Sequence, residues 1–262
     1  MAYLRNPLAW YKRYVEKVYD TPSSPSSFIG RAGHVALEHF YLSAQAGKGL
    51  SKEEAIERGS EYLDDVQDVE INFGKAQTKR AQKQLRDRMK REYNQAISFY
   101  LTRAPRHHVL GVEVNAVAEV EGLPLPLKAI SDLVVRSRVD ENAVDIVDHK
   151  FVASFSKHGA GKTLFIIQAI FNYYTVRDLY DKPVRRFIIQ ECKRIKNADG
   201  SSQMRRHIIN FDECEEEFAL FHKLINDATE EITRKRVYLP NPSDMFEGEN
   251  SFDIYRLGLV EE

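Results

Sequence analysis

The chain has 262 residues, and its content of 43% hydrophobic and 29% charged residues is ordinary for a globular protein. The 38 basic and 39 acidic residues nearly cancel, so net charge neither requires nor excludes a nucleic-acid partner. Two distant cysteines, Cys192 and Cys214, exclude a disulfide framework, a zinc knuckle and a four-cysteine iron–sulfur cluster within this chain. Without a membrane-length apolar run or a signal peptide, we expect a cytoplasmic protein with no membrane partner.

The N-terminal part of the sequence is predicted to be helical. The pattern predicts helices at about residues 8–15, 33–42, 51–70 and 75–103. Ser51 and Glu54 form the capping box that opens the third of these, and the turn-rich segment 21–27 precedes the second. The fourth helix is rich in basic residues, including Lys90 and Arg91, and we interpret its charges as a solvated face.

The pattern changes at Pro105, after which strands and helices are mixed. Strands are predicted at about 109–120, 123–136, 143–151, 184–194 and 203–210. An apolar helix at about 164–180 follows the third strand, and Asp212 with Glu215 is expected to cap a last helix ending near 236. This order predicts an α/β fold, an α/β/α sandwich around one mixed central sheet with an N-terminal helical region. We divide it into a helical region, 1–104, packed on a core of 105–262, with a surface-wrapping tail from Pro240.

One strand, Val144–Phe151, carries the most informative pair of charges. Asp148 and Lys150 are two residues apart, so both side chains project from the same face of the strand. Burying a carboxylate and an ammonium is costly unless they are paired or bind a ligand. The pair is therefore either a structural salt bridge or part of a divalent metal site. Asp132 on the preceding strand favours the metal, because two carboxylates that converge repel unless a cation lies between them.

Asp132 followed by Asp148-x-Lys150 resembles the signature of the PD-(D/E)XK nuclease superfamily. Three further features resemble its RecB-like exonuclease branch. They are Gly30-x-x-x-His34 on a helix, Glu113 on the strand before Asp132, and Gln168 followed by Tyr173 on the helix after Lys150. The spacing from Gln168 to Tyr173 is one residue longer than the family pattern, so Tyr174 is an equal candidate. The resemblance covers nearly the whole chain and implies a restriction-endonuclease-like fold.

Carried over to this chain, the resemblance implies a Mg²⁺ or Mn²⁺ site and a phosphodiesterase mechanism. The implied metal ligands are His34, Asp132, Asp148 and the backbone carbonyl of His149, with Glu113 ranked lower. Lys150 would orient or deprotonate the attacking water and offset phosphate charge, and Gln168 would position the lysine or a phosphate. The residues expected to contact DNA are Arg31, Lys157, Lys162, Tyr173, Tyr174, Arg185 and Arg205.

The expected activity is that of a DNA exonuclease working from ends, in recombination, repair or phage DNA processing. Several RecB-like relatives bind an iron–sulfur cluster through one N-terminal and three C-terminal cysteines. Here Asn6 stands before Pro7 where the first cysteine often lies, so we expect no cluster and a stand-alone, phage-type nuclease in a bacterial or phage-infected cell. Expected partners are DNA and, besides it, a helicase or a single-strand annealing protein.

Two other classes of function stay open at the level of sequence. Gly159-Ala160-Gly161-Lys162-Thr163 ends like the phosphate-binding loop of an NTPase, although Ser156 stands where the first glycine is required. A nuclease fold retained only for binding DNA or a partner protein is the second alternative, and the filled catalytic positions disfavour it. The sequence does not decide strand polarity or oligomeric state.

Overall fold

The computed structural model describes residues 3, 6–17, 22–157, 159, 161–201, 203–234 and 237–238. Helices α1 to α4 come first: Pro7–Tyr14, Pro25–Gln45, Lys52–Asp65 and Lys79–Thr102. Strands β1 to β3 follow at Val109–Ala118, Leu127–Arg136 and Val144–Val152, then helix α5 at Gly161–Tyr180. Strands β4 and β5, Val184–Lys193 and Met204–Asn210, and helix α6, Glu215–Thr233, complete the described elements. The predicted tail from Pro240 lies outside the described residues.

Side-chain caps set the starts of the N-terminal helices. Asn6 Oδ1 accepts a hydrogen bond from the Ala9 amide at 3.0 Å, so the residue at the family's cysteine position caps α1. The predicted capping box is confirmed, because the side chain of each of Ser51 and Glu54 accepts a hydrogen bond from the backbone amide of the other. Helix α2 begins at Pro25 rather than near Gly33, because Ser24 caps it and proline suits the first helical turn.

The five strands form one mixed sheet in the order β1-β2-β3-β4-β5. Neighbouring strands are antiparallel except β3 and β4, which are parallel and are joined through helix α5. The carboxyl ends of β3 and β4 therefore lie at the same edge of the sheet. The predicted mixed sheet between helical layers is confirmed.

Helices cover both faces of the sheet, and each face has its own apolar core. On one face, α2, α3 and α4 pack against Leu133, Val135 and Val147. On the other, α5 and α6 pack against Val134 and Ile146. Successive side chains of a strand point to opposite faces, so Leu133 and Val135 enter one core and Val134 enters the other. The sheet therefore lies between two helical layers, which gives a three-layer sandwich. The division at residues 104 and 105 stays a prediction.

One predicted cap is wrong. Asp212, which was expected to cap the last helix, lies in a 3₁₀ turn, Phe211–Glu213, and α6 begins only at Glu215. Cys214 stands at the cap position and makes no side-chain capping hydrogen bond. None of the described helices is long and apolar enough to cross a membrane.

Candidate functional site

The two aspartates lie where strands β2 and β3 separate. The antiparallel ladder ends at Leu133 opposite Val147, one residue short of Asp132 and Asp148. Beyond that point the Asp132 carboxylate replaces the ladder, because its Oδ2 accepts a hydrogen bond from the His149 backbone amide at 2.7 Å. The predicted hairpin thus brings both carboxylates to the carboxyl end of β3.

Helix α2 adds His34 to this edge. Its Nδ1 lies 3.5 Å from Asp132 Oδ2 and 3.6 Å from Glu113 Oε1. Close packing allows this, because a Cβ on Gly33 would lie only 2.2 Å from the Phe151 ring on β3. The absence of a side chain at Gly33 lets the helix approach the strand that carries Asp148.

Glu113 has an unusual backbone in the middle of β1. Its φ of +46° lies in the left-handed region, which non-glycine residues rarely adopt within strands. Such conformations cost on the order of 1–3 kcal/mol and are concentrated at functional sites. The strained position brings the carboxylate of Glu113 towards His34, opposite Asp132 across the β1–β2 ladder. The strain was not predicted, because backbone strain leaves no sequence pattern, and the lower rank of Glu113 as a metal ligand stays a prediction.

The pKa values of Asp148, Asp132 and His34 are shifted because these groups are buried close to one another at this edge of the sheet. Burial raises the pKa of Asp148, and repulsion by Asp132 raises it further, while Lys150 opposes both. For Asp132, burial works against ionisation, but the hydrogen bonding and charge of His149 and the charge of His34 outweigh it and lower the pKa. Burial would lower the pKa of His34, but the neighbouring carboxylates, Glu113 first, raise it overall.

Lys150 and Gln168 both bind the Asp148 carboxylate. Gln168 Nε2 donates to Oδ1 at 2.6 Å, and Lys150 Nζ donates to the same oxygen at 3.0 Å. The second oxygen, Oδ2, lies 2.9 Å from the ammonium but is buried without a hydrogen bond of proper geometry among the described residues. Gln168 therefore orients the aspartate to which Lys150 also binds, and its role in positioning the lysine or a phosphate stays a prediction.

The donor set fits a divalent cation. Ligand atoms of His34, Glu113 and Asp132 lie within 4.8 Å of one another. Mixed carboxylate oxygens and one imidazole suit Mg²⁺ or Mn²⁺. The buried Oδ2 of Asp148 is a further oxygen whose desolvation a cation would offset. We call His34, Glu113, Asp132, Asp148 and Lys150 the Asp148 cluster.

The His149 side chain projects to the face of β3 opposite Asp148, although its Nδ1 still lies 3.7 Å from Asp132 Oδ2. It is buried under α2 and α4, where Nε2 contacts Tyr100 Oη at 2.8 Å and the ring stacks on Tyr41. Tyr100 Oη in turn lies 2.9 Å from Tyr41 Oη. This chain of contacts fixes the segment whose amide binds Asp132, and it was not predicted because the two tyrosines are distant in sequence.

The tyrosines of the predicted motif lie elsewhere. Tyr173 packs against Phe211 and Phe218, and Tyr174 contacts His222 of α6 at 2.7 Å. At the family's tyrosine position, Asn172 is buried, and its Oδ1 accepts a hydrogen bond from Ser131 Oγ at 2.6 Å. The residue facing the strand of Asp132 is thus the asparagine, while the DNA contacts assigned to the tyrosines stay a prediction.

A second buried cluster lies beside the first and was missed in the sequence. Glu191 on β4 is in register with Lys150 and is 1% exposed. Its carboxylate accepts hydrogen bonds from the Ser156 amide and hydroxyl, and Oε2 lies 3.0 Å from His207 Nε2. Arg205 completes this Glu191 cluster by donating to the Ser156 carbonyl at 2.6 Å. An isolated glutamate in an apolar strand carries no sequence motif.

The predicted DNA-contacting cations fall into two groups. Arg31 lies one turn before His34 on α2, and Lys157 is exposed in the loop after β3 beside Arg205. Lys162, in contrast, is bound by Glu217 at 2.6 Å and by the Glu213 carbonyl at 2.9 Å. Arg185 is paired with Asp140 at 2.7 Å near the start of β4, the opposite edge of the sheet. Only the first group lies at the edge of the Asp148 cluster.

A family model described as the PD-(D/E)XK nuclease superfamily matches residues 1–245 of the chain. The chain belongs to the PD-(D/E)XK nuclease superfamily. No curated protein matches it. The superfamily's nucleases use divalent metals, and the Asp148 cluster supplies the carboxylate and histidine donors for one.

Solved structures with little sequence identity resemble this PD-(D/E)XK chain over most of its length. A candidate exonuclease from Eubacterium rectale is 11% identical with a TM-score of 0.43, over 92% of this chain and 85% of its own. A protein named SSO0001 is 14% identical with a TM-score of 0.35, over 95% of this chain and 90% of its own. A Vibrio cholerae protein, VC1899, is 10% identical with a TM-score of 0.23, over 87% of this chain and 53% of its own.

Proposed function

We propose that this chain is a Mg²⁺- or Mn²⁺-dependent deoxyribonuclease of the RecB-like branch, acting as an exonuclease from DNA ends. The observation that carries the proposal is the Asp148 cluster, in which a strained glutamate, a histidine and two aspartates converge beside a lysine. The order of the sequence motifs supports the exonuclease branch. Recombination, repair or phage DNA processing is the proposed setting, with a helicase or an annealing protein as a candidate partner.

In this mechanism His34, Glu113, Asp132 and Asp148 would hold the cation, with the His149 carbonyl as a further ligand. A divalent cation bound there would polarise the scissile phosphate and make a bound water more acidic. The chain's own residues prepare that chemistry. Asp148 holds the Lys150 ammonium in place at 2.9 Å from Oδ2, where it can orient a water molecule and offset negative charge on phosphate oxygens.

Gln168 and His149 fix the two aspartates. The amide of Gln168 donates to Asp148 Oδ1, and the His149 backbone amide donates to Asp132 Oδ2, so neither carboxylate can rotate freely. Arg31, exposed one helical turn before His34 with its guanidinium 3.2 Å from Ser23 Oγ, is a proposed contact to a neighbouring phosphate. Lys157, exposed in the loop after β3, and Arg205, which donates to the Ser156 carbonyl of that loop, are the remaining proposed backbone contacts.

The test is digestion of end-labelled single- and double-stranded DNA with Mg²⁺, Mn²⁺ or EDTA. We expect metal-dependent release of short products from ends by the wild type, and loss of that release in Lys150→Ala. Lys182→Ala is the matched control, because Lys182 is exposed before β4 at the opposite edge of the sheet. Cleavage that survives EDTA or the Lys150 change would overturn the mechanism, and cleavage of closed circles at the same rate as linear DNA would overturn the exonuclease assignment.

The same experiments address the two alternatives. DNA binding without cleavage under any metal would favour a nuclease fold retained for binding. Nucleotide hydrolysis lost with Lys162→Ala would favour an NTPase, but Glu217 and the Glu213 carbonyl already bind the ammonium that a phosphate loop would need.

A further inference from the structure

A groove of about 800 Å³ runs between helix α4 and the turn that joins β4 to β5. One wall is a stripe of α4 at helical spacing, with Arg91, Gln95, Ser98 and Thr102 on the same side. The other wall is the turn, which contributes Lys196 and several amide and hydroxyl groups. Groups that can donate hydrogen bonds thus line both walls.

The charge of this groove has one sign. Arg91, Arg103 and Lys196 line it, all three are exposed, and no acidic side chain is among its lining residues. Within the described part of the chain, none of the three makes an ion pair, unlike Arg86, Arg88 and Lys90 of the same helix. Of the acidic residues close to it in sequence, Glu92 binds Arg194 at 2.7 Å and Asp199 accepts the Ser201 amide at 3.0 Å, while Asp87 lies one helical turn before Arg91.

An aromatic ring, that of Phe99, also lines the groove. Phe99 is half-buried among its lining residues, and the Arg103 guanidinium lies over that ring with its Cζ 4.3 Å from the centroid. An aromatic face backed by a guanidinium can stack on any base, so binding would be tolerant of sequence. Cations for the backbone and a ring for a base are the features of a single-strand path.

The groove lies at the same edge of the sheet as the Asp148 cluster. Its turn follows the carboxyl end of β4, which is parallel to the strand carrying Asp148. Arg194, in that turn, contacts Ser26 at 3.1 Å, eight residues before His34 on helix α2. At about 1.5 Å per residue, those eight residues span roughly 12 Å. A strand running from the contact of the turn with Ser26 to His34 would therefore take about three or four stacked nucleotides at about 3.4 Å each.

From this placement we infer that the α4 groove binds single-stranded DNA a few nucleotides away from the scissile phosphate. The inference rests on the proposed nuclease function and adds a second contact to it. A strand anchored in the groove would be held while its end enters the Asp148 cluster. Substrates too short to reach both places would not use the groove.

The test compares two variants with equal changes of charge. Arg91→Glu/Arg103→Glu/Lys196→Glu reverses the groove, and Lys48→Glu/Lys52→Glu/Lys182→Glu reverses three exposed lysines elsewhere. Lys48 and Lys52 follow the far end of α2, and Lys182 lies at the opposite edge of the sheet. Circular dichroism and thermal melting establish that both variants fold, and Arg91→Gln/Arg103→Gln/Lys196→Gln repeats the test without reversal.

Binding is measured by anisotropy of a fluorescent 20-nucleotide single strand in EDTA over a range of salt. We expect the groove variant to lose affinity at least about tenfold more than the control variant. Its plot of log affinity against log salt should flatten by about 2, since each lost phosphate contact removes roughly 0.7 from the slope of a single strand. Equal losses in the two variants would overturn the inference, as would a groove-specific loss for blunt duplex as large as that for the single strand.

Cleavage separates this inference from the proposed function. With Mg²⁺, the groove variant should cut a tetranucleotide like the wild type but cut the 20-mer with a KM raised about tenfold. A groove variant that cuts both lengths like the wild type would overturn the inference and leave the nuclease proposal standing. If no variant cuts any DNA, the nuclease proposal fails, and the anisotropy experiment still decides whether the groove binds a single strand.

Discussion

Two clusters of ionisable side chains lie side by side at one edge of the sheet, but their buried carboxylates differ in how completely they are hydrogen-bonded. In the Glu191 cluster a buried carboxylate accepts hydrogen bonds from Ser156 and lies 3.0 Å from His207 Nε2. In the Asp148 cluster, one strand away, a buried carboxylate oxygen has no hydrogen bond of its own within the described chain. The carboxylates there repel each other, as the raised pKa of Asp148 records.

This difference indicates that the buried charge of the Glu191 cluster stabilises the structure, whereas that of the Asp148 cluster is suited to binding a ligand. A fully bonded carboxylate fixes the loop after β3 and needs nothing further. An under-bonded carboxylate next to another one costs stability, and a bound cation would offset that cost. The two clusters should therefore respond in opposite ways to removal of charge.

The largest expected effect is on catalysis. Lys150→Met should lower the rate of DNA cleavage by about 10³-fold, because one preorganised charge at the phosphate typically contributes about 10²–10³. Ser156→Ala, in the neighbouring cluster, should change that rate less than about tenfold, since Ser156 contacts Glu191 and no residue of the Asp148 cluster. Single-turnover rates with Mg²⁺ measure both. Similar rate losses in the two variants would mean that the clusters are one functional unit.

The next effect is on stability in the Glu191 cluster. Glu191→Gln should lower the free energy of unfolding by about 1.5–3 kcal/mol, the usual contribution of hydrogen bonds to a charged group. The loss arises because the amide cannot accept from Ser156 and His207 as the carboxylate does. Urea unfolding in EDTA measures it, with Glu216→Gln on the exposed start of α6 as the control. An unchanged midpoint would contradict the structural assignment of this cluster.

Asp148→Asn should have the opposite sign. In EDTA near neutral pH we expect the variant to be more stable than the wild type by about 1–2 kcal/mol, as often follows removal of a functional charge. Mn²⁺ should raise the melting temperature of the wild type and leave that of the variant nearly unchanged. A wild type that melts higher than the variant in EDTA would place Asp148 with the structural carboxylates.

The pH dependence gives that prediction a second check. The folded-state pKa of Asp148 is raised, so its favourable contribution is complete below the unfolded value of 3.8 and is lost as pH rises through the raised pKa. Asparagine does not titrate. The stability advantage of Asp148→Asn should therefore be absent in acid, below pH 3.8, and grow as pH rises above it, as urea titrations in EDTA at several pH values would show.

The sequence predicted the Asp148 cluster better than the Glu191 cluster for a physical reason. Asp148 and Lys150 are neighbours on one strand, and β2 pairs with β3 as a local hairpin, so short-range pattern brings them together. Glu191 and His207 meet through pairing of β4 with β5 and through a loop that returns from β3, which no short motif records. The strain at Glu113 was missed because backbone strain leaves no sequence pattern. The early start of α2 was missed for a different reason, since Ser24 and Pro25 are a local helix-start signal that was interpreted as part of a turn-rich connector.

The smallest expected effect is on stability and comes from two glycines of α2. One has open space beside it and the other is packed against an aromatic ring. A Cβ on Gly33 would lie 2.2 Å from Phe151, whereas a Cβ on Gly30, one turn before His34, would meet nothing within 4 Å. Gly30→Ala should raise the free energy of unfolding by about 0.5–1 kcal/mol through helix propensity alone, and Gly33→Ala should lower it. Because Gly30 shares the face of His34, the added methyl group should still slow DNA cleavage. Urea unfolding with cleavage rates measures both changes, and a Gly30→Ala enzyme that is stabilised yet fully active would show that substrate does not approach over this face of α2.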